Sequence, residues 1–206
     1  QTCALPISYS FDVDFSKKGE GLEHKPIEKI WATRKIGYLI DQIDLNGENE
    51  ELVASLVELS KKYGILTPYT SFLAREDVDL FDTRKNATTT SENLRMLEEV
   101  SGSAGVSQRS YKQSLKANKV SVATAEVEAT DEDGEVSTVS NVRNVAGRAF
   151  YQRNGIWVDG TLNETQEKNA TEIKQFSDEY FELARTNSVD LNPYLSFDDE
   201  VVVNLN

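Results

Sequence analysis

The sequence predicts an α+β fold: a strand, an antiparallel helix hairpin and a second strand, a disordered acidic linker, then a small α+β C-terminal module with a β-hairpin. Three observations lead there. Apolar and polar residues alternate over 9–15, the period of a half-buried strand. Apolar residues recur three and four apart over 27–63, the period of amphipathic helices. Asn154-Gly155 separates two short aromatic and β-branched runs, the signature of a tight hairpin turn.

In chain order, residues 1–8 have neither the basic region nor the apolar stretch of a targeting segment. They read as a translated sequencing-adaptor oligonucleotide and are set aside from the fold. Phe11, Val13 and Phe15 place one strand face on a core, and 16–24 reads as a charged loop containing His24. Pro26 suits the first turn of a helix. Ile27, Trp31, Ala32, Ile36, Leu39, Ile40 and Ile43 give that helix a broad apolar face, and Asn46-Gly47 ends it. Glu48, Glu50 and Glu51 suit the positive end of a second helix dipole, Leu52, Leu56, Leu59 and Tyr63 form its stripe, and Lys61 and Lys62 occupy its last turn. Gly64 is the expected stop.

Residues 65–74 read as extended, with Pro68 at an edge. The polar stretch 77–90 reads as linker, 92–100 as a short helix through Leu94, Leu97 and Val100, and 106–120 as a weak helix through Val106, Tyr111 and Leu115. Over 121–141 there are Glu126, Glu128, Asp131, Glu132, Asp133 and Glu135 and no Lys or Arg, which reads as a solvated acidic linker, although its Val residues alternate in places and allow a transient strand with no aromatic anchor. Residues 142–145 and 148–152 are β-like, 156–158 is the return strand of the hairpin, and 172–176 is a further strand candidate. Ser177 opens a helix through Tyr180, Phe181 and Leu183, Asn192-Pro193 turns the chain, and 200–205 closes it as a strand. The units are therefore a leader (1–8), a strand and helix-hairpin module (9–76), a linker with weak helices (77–141) and a C-terminal module (142–206).

Composition excludes several functions. The 206 residues carry 35 Asp plus Glu against 22 Lys plus Arg, net -13, which argues against a nucleic-acid surface built on clustered cations. No apolar run approaches the roughly 20 residues of a membrane span. One Cys and one His leave no zinc cluster or disulfide framework, so no metal and no cofactor is expected. Asp131-Glu132-Asp133-Gly134-Glu135 lacks the twelve-residue calcium loop and reads as solvated linker. His24 has no evident catalytic partner. Asp198, Asp199 and Glu200 are adjacent in sequence and do not promise the convergent acid and base that a hydrolase needs.

Two motifs carry a resemblance. Pro26-Ile27-Glu28-Lys29-Ile30-Trp31-Ala32, followed after two amphipathic helices by Lys62-Tyr63-Gly64-Ile65-Leu66-Thr67-Pro68-Tyr69-Thr70-Ser71-Phe72-Leu73, resembles the segment just after the von Willebrand factor A domain in inter-alpha-trypsin inhibitor heavy chain-like proteins, above all the bacterial ones with a VIT domain. It covers about a quarter of the chain. Residues 145–159 also resemble the tail module of those proteins. The resemblance implies a non-enzymatic C-terminal part of a cell-envelope, periplasmic or secreted protein acting in adhesion or protein–protein interaction, with upstream VIT and A domains as partners. The family's Asp-x-Ser-x-Ser metal loop has no counterpart here; Asp12-Val13-Asp14-Phe15-Ser16 is a near miss on an expected strand.

The motif residues Pro26, Glu28, Trp31, Tyr63, Gly64, Thr67, Pro68, Tyr69, Thr70 and Ser71 read as structural, with Trp31 packing against Tyr63 or the Pro68-Tyr69 turn. The apolar stripes of the two helices exceed what one short strand covers, so surface around Ile27, Trp31 and Ile36 is expected to remain for docking on the upstream domains. The alternative is an independent peptide- or glycan-binding module in 142–206, with Tyr151 and Trp157 opposed across the hairpin as the binding pair or, more simply, as a cross-strand pair that stabilises it.

Overall fold

A computed structural model describes residues 25–98, 113, 115, 126–130, 136–186 and 191–205. The leader, the strand expected at 9–15, His24 and most of 106–120 lie outside the described residues. The chain is α+β, with helices first and a five-stranded sheet after them.

Helix α1 (Lys25–Asn46) and helix α2 (Glu50–Tyr63) are joined by three residues and pack as a hairpin. The Asn49 side chain caps α2 by accepting from the Glu51 N–H at 2.8 Å. Gly64, at φ +62, ends α2 in the left-handed conformation and returns its N–H to the Ser60 carbonyl. The inner stripe of α1, with Ile36, Leu39, Ile40 and Ile43 buried, meets Val53 and Leu56 of α2.

Five expectations are corrected beyond this point. Residues 65–74 are not a strand: Leu66 makes one isolated bridge, the chain turns at 68–70, and Ser71–Ala74 forms a 3₁₀ turn. The cause is local, because the Thr70 hydroxyl accepts from the Thr67 N–H at 3.0 Å and lies 2.9 Å from the Thr67 hydroxyl, offering the backbone an alternative to a ladder.

The polar stretch 77–90 is not linker, since helix α3 (Thr83–Glu98) runs through it. Asp82 accepts from the Lys85 N–H, and Asn86 is buried with its amide donating to the Asp79 carbonyl at 2.9 Å. A polar face is thus buried without an orphaned amide, and Asn93 ties α3 to the turn by donating to the Tyr69 carbonyl. Leu94 and Leu115 complete the hairpin core.

The acidic stretch contains strand β1 (Glu126–Thr130), paired antiparallel with strand β2 (Val136–Val145). Val139, Val142 and Val145 suit a pleated surface, and β1 occupies the sheet edge. Strand β3 (Arg148–Arg153) and strand β4 (Ile156–Asp159) form the expected hairpin around Asn154-Gly155, both at positive φ.

Residues 172–176 form no strand. Both edges of β4 are already occupied, by β3 and by strand β5 (Val201–Val202), which pairs with it in parallel. The intervening chain instead carries helix α4 (Glu164–Lys168), closed by the reciprocal Asn163–Gln166 capping box, and helix α5 (Asp178–Thr186), begun by the Ser177 hydroxyl accepting from the Tyr180 N–H. A 3₁₀ turn (Asn192–Ser196) follows, and the expected closing strand at 200–205 is reduced to two residues.

The sheet order is β1-β2-β3-β4-β5. One face carries Val142, Ala149 and Tyr151 against Val57, Leu66, Leu73 and Leu80, so residues on both sides of the expected linker share this core. The other face carries Phe150 and Trp157 against Tyr194 and Phe197.

Candidate functional site

The second motif forms the joint between hairpin and sheet. Tyr63 is buried at the end of α2, and a Cβ on Gly64 would stand 3.0 Å from the Ala149 Cβ and from the Asn144 amide. Asn144 lies between the Tyr63 carbonyl (3.3 Å) and the Lys29 ammonium (3.0 Å), satisfied when its Nδ2 faces the first and its Oδ1 the second. Burial lowers the Lys29 pKa from its ordinary value. Thr67, Pro68, Tyr69 and Thr70 are buried, Ser71 is half-buried, and the Thr70 hydroxyl extends its network to the Ser60 hydroxyl at 3.2 Å.

From the sheet, the Tyr151 hydroxyl donates to the Lys61 carbonyl at 2.9 Å and the Ser60 carbonyl at 3.3 Å, in the last turn of α2, where carbonyls run short of helical donors. Burial pushes its phenol pKa well up. The Arg153 guanidinium spans the same joint, donating to the Val78 carbonyl at 3.0 Å and the Leu73 carbonyl at 2.7 Å, and Asn141 donates to the Ala74 carbonyl.

Beside the joint lies a polar cleft of about 490 Å³ lined by Glu28, Lys61, Lys62, Arg148, Thr161 and Asn204 among others. Arg148 in its wall is held by a carboxylate behind it. Asp159 is fully buried, pairs with Arg148 at 2.9 Å, and accepts from the N–H and hydroxyl of Thr161, both at 2.8 Å. Arg148 also donates to the Asn204 carbonyl. Burial lowers the Lys61 pKa against the opposing fields of Glu58, Asp159 and Asp79, and its ammonium donates to the Leu80 carbonyl. Among the described residues no three His, Cys, Asp or Glu side chains gather as a metal site. Asp198, Asp199 and Glu200 are exposed in one turn, and Asp199 accepts from the Trp157 indole at 3.4 Å, so they do not converge on a pocket.

Tyr151 and Trp157 offer nothing to a ligand, being 0% and 1% exposed. They are not cross-strand partners either: Tyr151 pairs with Val158 and Trp157 with Gln152, so the two rings lie on opposite faces of the sheet. Trp157 packs on Phe197 at 5.6 Å, with the Arg143 guanidinium 4.6 Å from its ring.

The first motif has a different fate. Pro26 and Glu28 are exposed in the opening turn of α1, and Trp31 is 54% exposed. Ile27 (62%), Tyr38 (50%) and Leu45 (77%) accompany it, at spacings of four, seven and seven that place all four on one outer face. Ile36, expected in this surface, is fully buried on the inner face. The helix is therefore apolar on two sides, and the inner stripe alone satisfies the hairpin. Sequence reasoning named Ile27 and Trp31 but missed Tyr38 and Leu45; the signal was the heptad interval among 31, 38 and 45, which the denser inner pattern hides.

No helix among the described residues is long and apolar enough to cross a membrane. Compared with family models, curated proteins and solved structures, the chain finds no match in any of the three.

Proposed function

We propose that this chain is the C-terminal part of a cell-envelope or secreted protein with VIT and von Willebrand factor A domains, a non-catalytic element in adhesion or protein–protein interaction. In this reading its helix hairpin docks on the upstream domains. The observation that supports docking is the outer face of α1, with Ile27, Trp31, Tyr38 and Leu45 each at least half exposed along a helix of 22 residues, about 33 Å. Four large apolar side chains share this face, with the Lys35 ammonium 4.8 Å from the Tyr38 ring, and an exposed apolar stripe of this kind supports an interface, with Trp31 as the natural anchor. Arg148 lines the cleft and pairs with the buried Asp159 behind it, which supports a structural role for that pair.

The experiment compares this chain with the same chain expressed together with the coding sequence that precedes it. In both, every Trp other than Trp31 is replaced by Phe so that Trp31 is the reporter. Acrylamide should quench Trp31 strongly in the chain alone and weakly in the longer protein, where its emission shifts to the blue; Trp31→Glu should loosen the hairpin from the upstream domains in limited proteolysis. Equal quenching in both proteins would overturn the docking reading.

A further inference from the structure

We propose that the polar cleft beside the joint binds a short zwitterionic peptide, two or three residues long with both termini free. Arg148 and Lys62 hold its carboxylate, and Glu28 and Glu58 hold its ammonium. At about 490 Å³ the cleft falls within the range of small-molecule sites, and the opening turn of α1, the end of α2 and the β2–β3 turn meet around it.

The carboxylate end is built on Arg148. Its Nη1 is committed, donating to Asp159 at 2.9 Å and to the Asn204 carbonyl, which fixes the guanidinium in place. The Nε–Nη2 edge, whose parallel N–H groups match the two oxygens of a carboxylate, has no hydrogen-bond partner among the described residues. Lys62 is exposed, its ammonium 5.2 Å from the Tyr63 ring and in no ion pair among the described residues. The ammonium end is formed by Glu28 and Glu58, which are exposed and likewise make no hydrogen bond or ion pair among the described residues. Glu58 and Lys62 stand one turn apart on α2, the spacing at which such residues commonly pair, yet each remains open.

Charge and spacing select the ligand. Lys61, Lys62 and Arg148 are opposed by Glu28, Glu58 and the buried Asp159, so the cleft is neutral as a whole and its net field draws neither a simple anion nor a simple cation. A ligand carrying both charges satisfies both sets. Glu58 and Lys62 are about 6 Å apart along the axis of α2. An extended chain advances about 3.3–3.6 Å per residue, so a peptide of two or three residues spreads its termini this far, whereas a free amino acid carries both charges on one carbon. Ile27, Trp31, Tyr38 and Leu45 do not line the cleft, so the site does not rest on the docking reading.

Titration of the intact, isotope-labelled chain with triglycine, followed by amide chemical shifts, should give saturable shifts around Lys62, Gly147, Arg148 and Thr161 with a dissociation constant of about 1 mM, as suits a small open site. N-acetyl-triglycine, which lacks the ammonium, triglycine amide, which lacks the carboxylate, and free glycine should each bind at least about threefold more weakly. Lys62→Gln should weaken triglycine and N-acetyl-triglycine by a similar factor and leave triglycine amide unchanged. Glu28→Gln combined with Glu58→Gln should weaken triglycine and triglycine amide and leave N-acetyl-triglycine unchanged. No saturable shift up to about 50 mM, capped peptides or glycine binding as tightly as triglycine, or inorganic phosphate displacing triglycine at equal concentration would overturn the proposal. Because Glu28, Glu58 and Lys62 are exposed, their variants should keep the urea midpoint of the parent, which separates lost binding from lost folding.

Discussion

Gly160 lies where α2 meets the end of β4, and replacing it tests whether that joint holds the molecule together. A Cβ there would stand 2.5 Å from the Lys61 carbonyl oxygen, 3.0 Å from the Tyr151 ring and 3.2 Å from the Ala149 carbonyl. Two of these neighbours are backbone, so Gly160→Ala forces the hairpin and sheet apart instead of displacing a flexible tip. Overpacking of this kind costs about 1–3 kcal/mol. The Tyr151 hydroxyl donates to the same Lys61 carbonyl, so opening the joint also weakens a hydrogen bond worth about 1 kcal/mol. The sum is about 2–4 kcal/mol. Gly155→Ala is the control: Gly155 sits at φ +83 with nothing within 4 Å, so it carries backbone strain alone, about 1–2 kcal/mol.

Urea unfolding followed by far-ultraviolet circular dichroism measures both, and at a slope near 2 kcal/mol/M the Gly160→Ala midpoint should fall by about 1–2 M. Tyr151→Phe should cost about 1 kcal/mol alone, and Gly160→Ala made in that background should cost about 1 kcal/mol less than in the parent, since the bond is already gone. A Gly160→Ala variant no less stable than Gly155→Ala, or a cycle with no coupling, would refute the reasoning.

Three further outcomes follow from the packing. Asp159→Asn should lower stability by about 2–3 kcal/mol in the same assay, because it leaves the partly buried Arg148 without its counter-charge; a loss under about 0.5 kcal/mol would show the pair to be dispensable. Thr90 is fully buried and its hydroxyl finds no partner among the described residues, so Thr90→Val should raise the unfolding free energy by up to about 1 kcal/mol, and a loss instead would mean that the hydroxyl is satisfied. A hydrogen bond from Ser91, aided by the bond and charge of Arg95 and opposed by burial, holds the Glu48 pKa below its ordinary 4.5. A depressed acid stabilises the fold above its ordinary pKa and loses that contribution as pH falls through the lowered value, so Glu48→Gln should cost under about 1 kcal/mol at pH 7 and nothing near pH 2; a pH-independent difference would refute it.

Where a feature depends on neighbours within a few residues, it was legible. Gly64 stops α2 because only a left-handed residue completes that turn, Asn154-Gly155 turns the β3–β4 hairpin for the same reason, and Ser177 caps α5 through a hydroxyl three residues from its donor. The inner stripe of α1 was legible too, because periodicity reports one face of a helix whatever packs on it. What lay beyond the sequence were contacts made across the chain. Asn86 and Thr90 read as linker until Asp79 and the hairpin core supply a surface for a polar helix face. The acids of β1 read as a solvated spacer until β2 supplies a ladder, which needs backbone groups and not apolar side chains.

The candidate site divides in the same way. Residues 63–71 read as a structural motif from the sequence, but that they bind the hairpin to the sheet appears only when Tyr151 arrives from 90 residues away at Lys61. Tyr151 and Trp157 looked like a binding pair because aromatic residues near a turn suit either a ligand or a core. Register decides between these: a shift of one residue sends the rings to opposite faces, each under its own layer of packing. The sequence by itself determined which segments are helices and strands wherever capping, turn and periodicity signals are local. The tertiary structure decided which apolar residues remain outside, because burial is a property of two surfaces, and the outer face of α1 and the ring cluster of α5 are apolar surfaces that nothing else among the described residues covers.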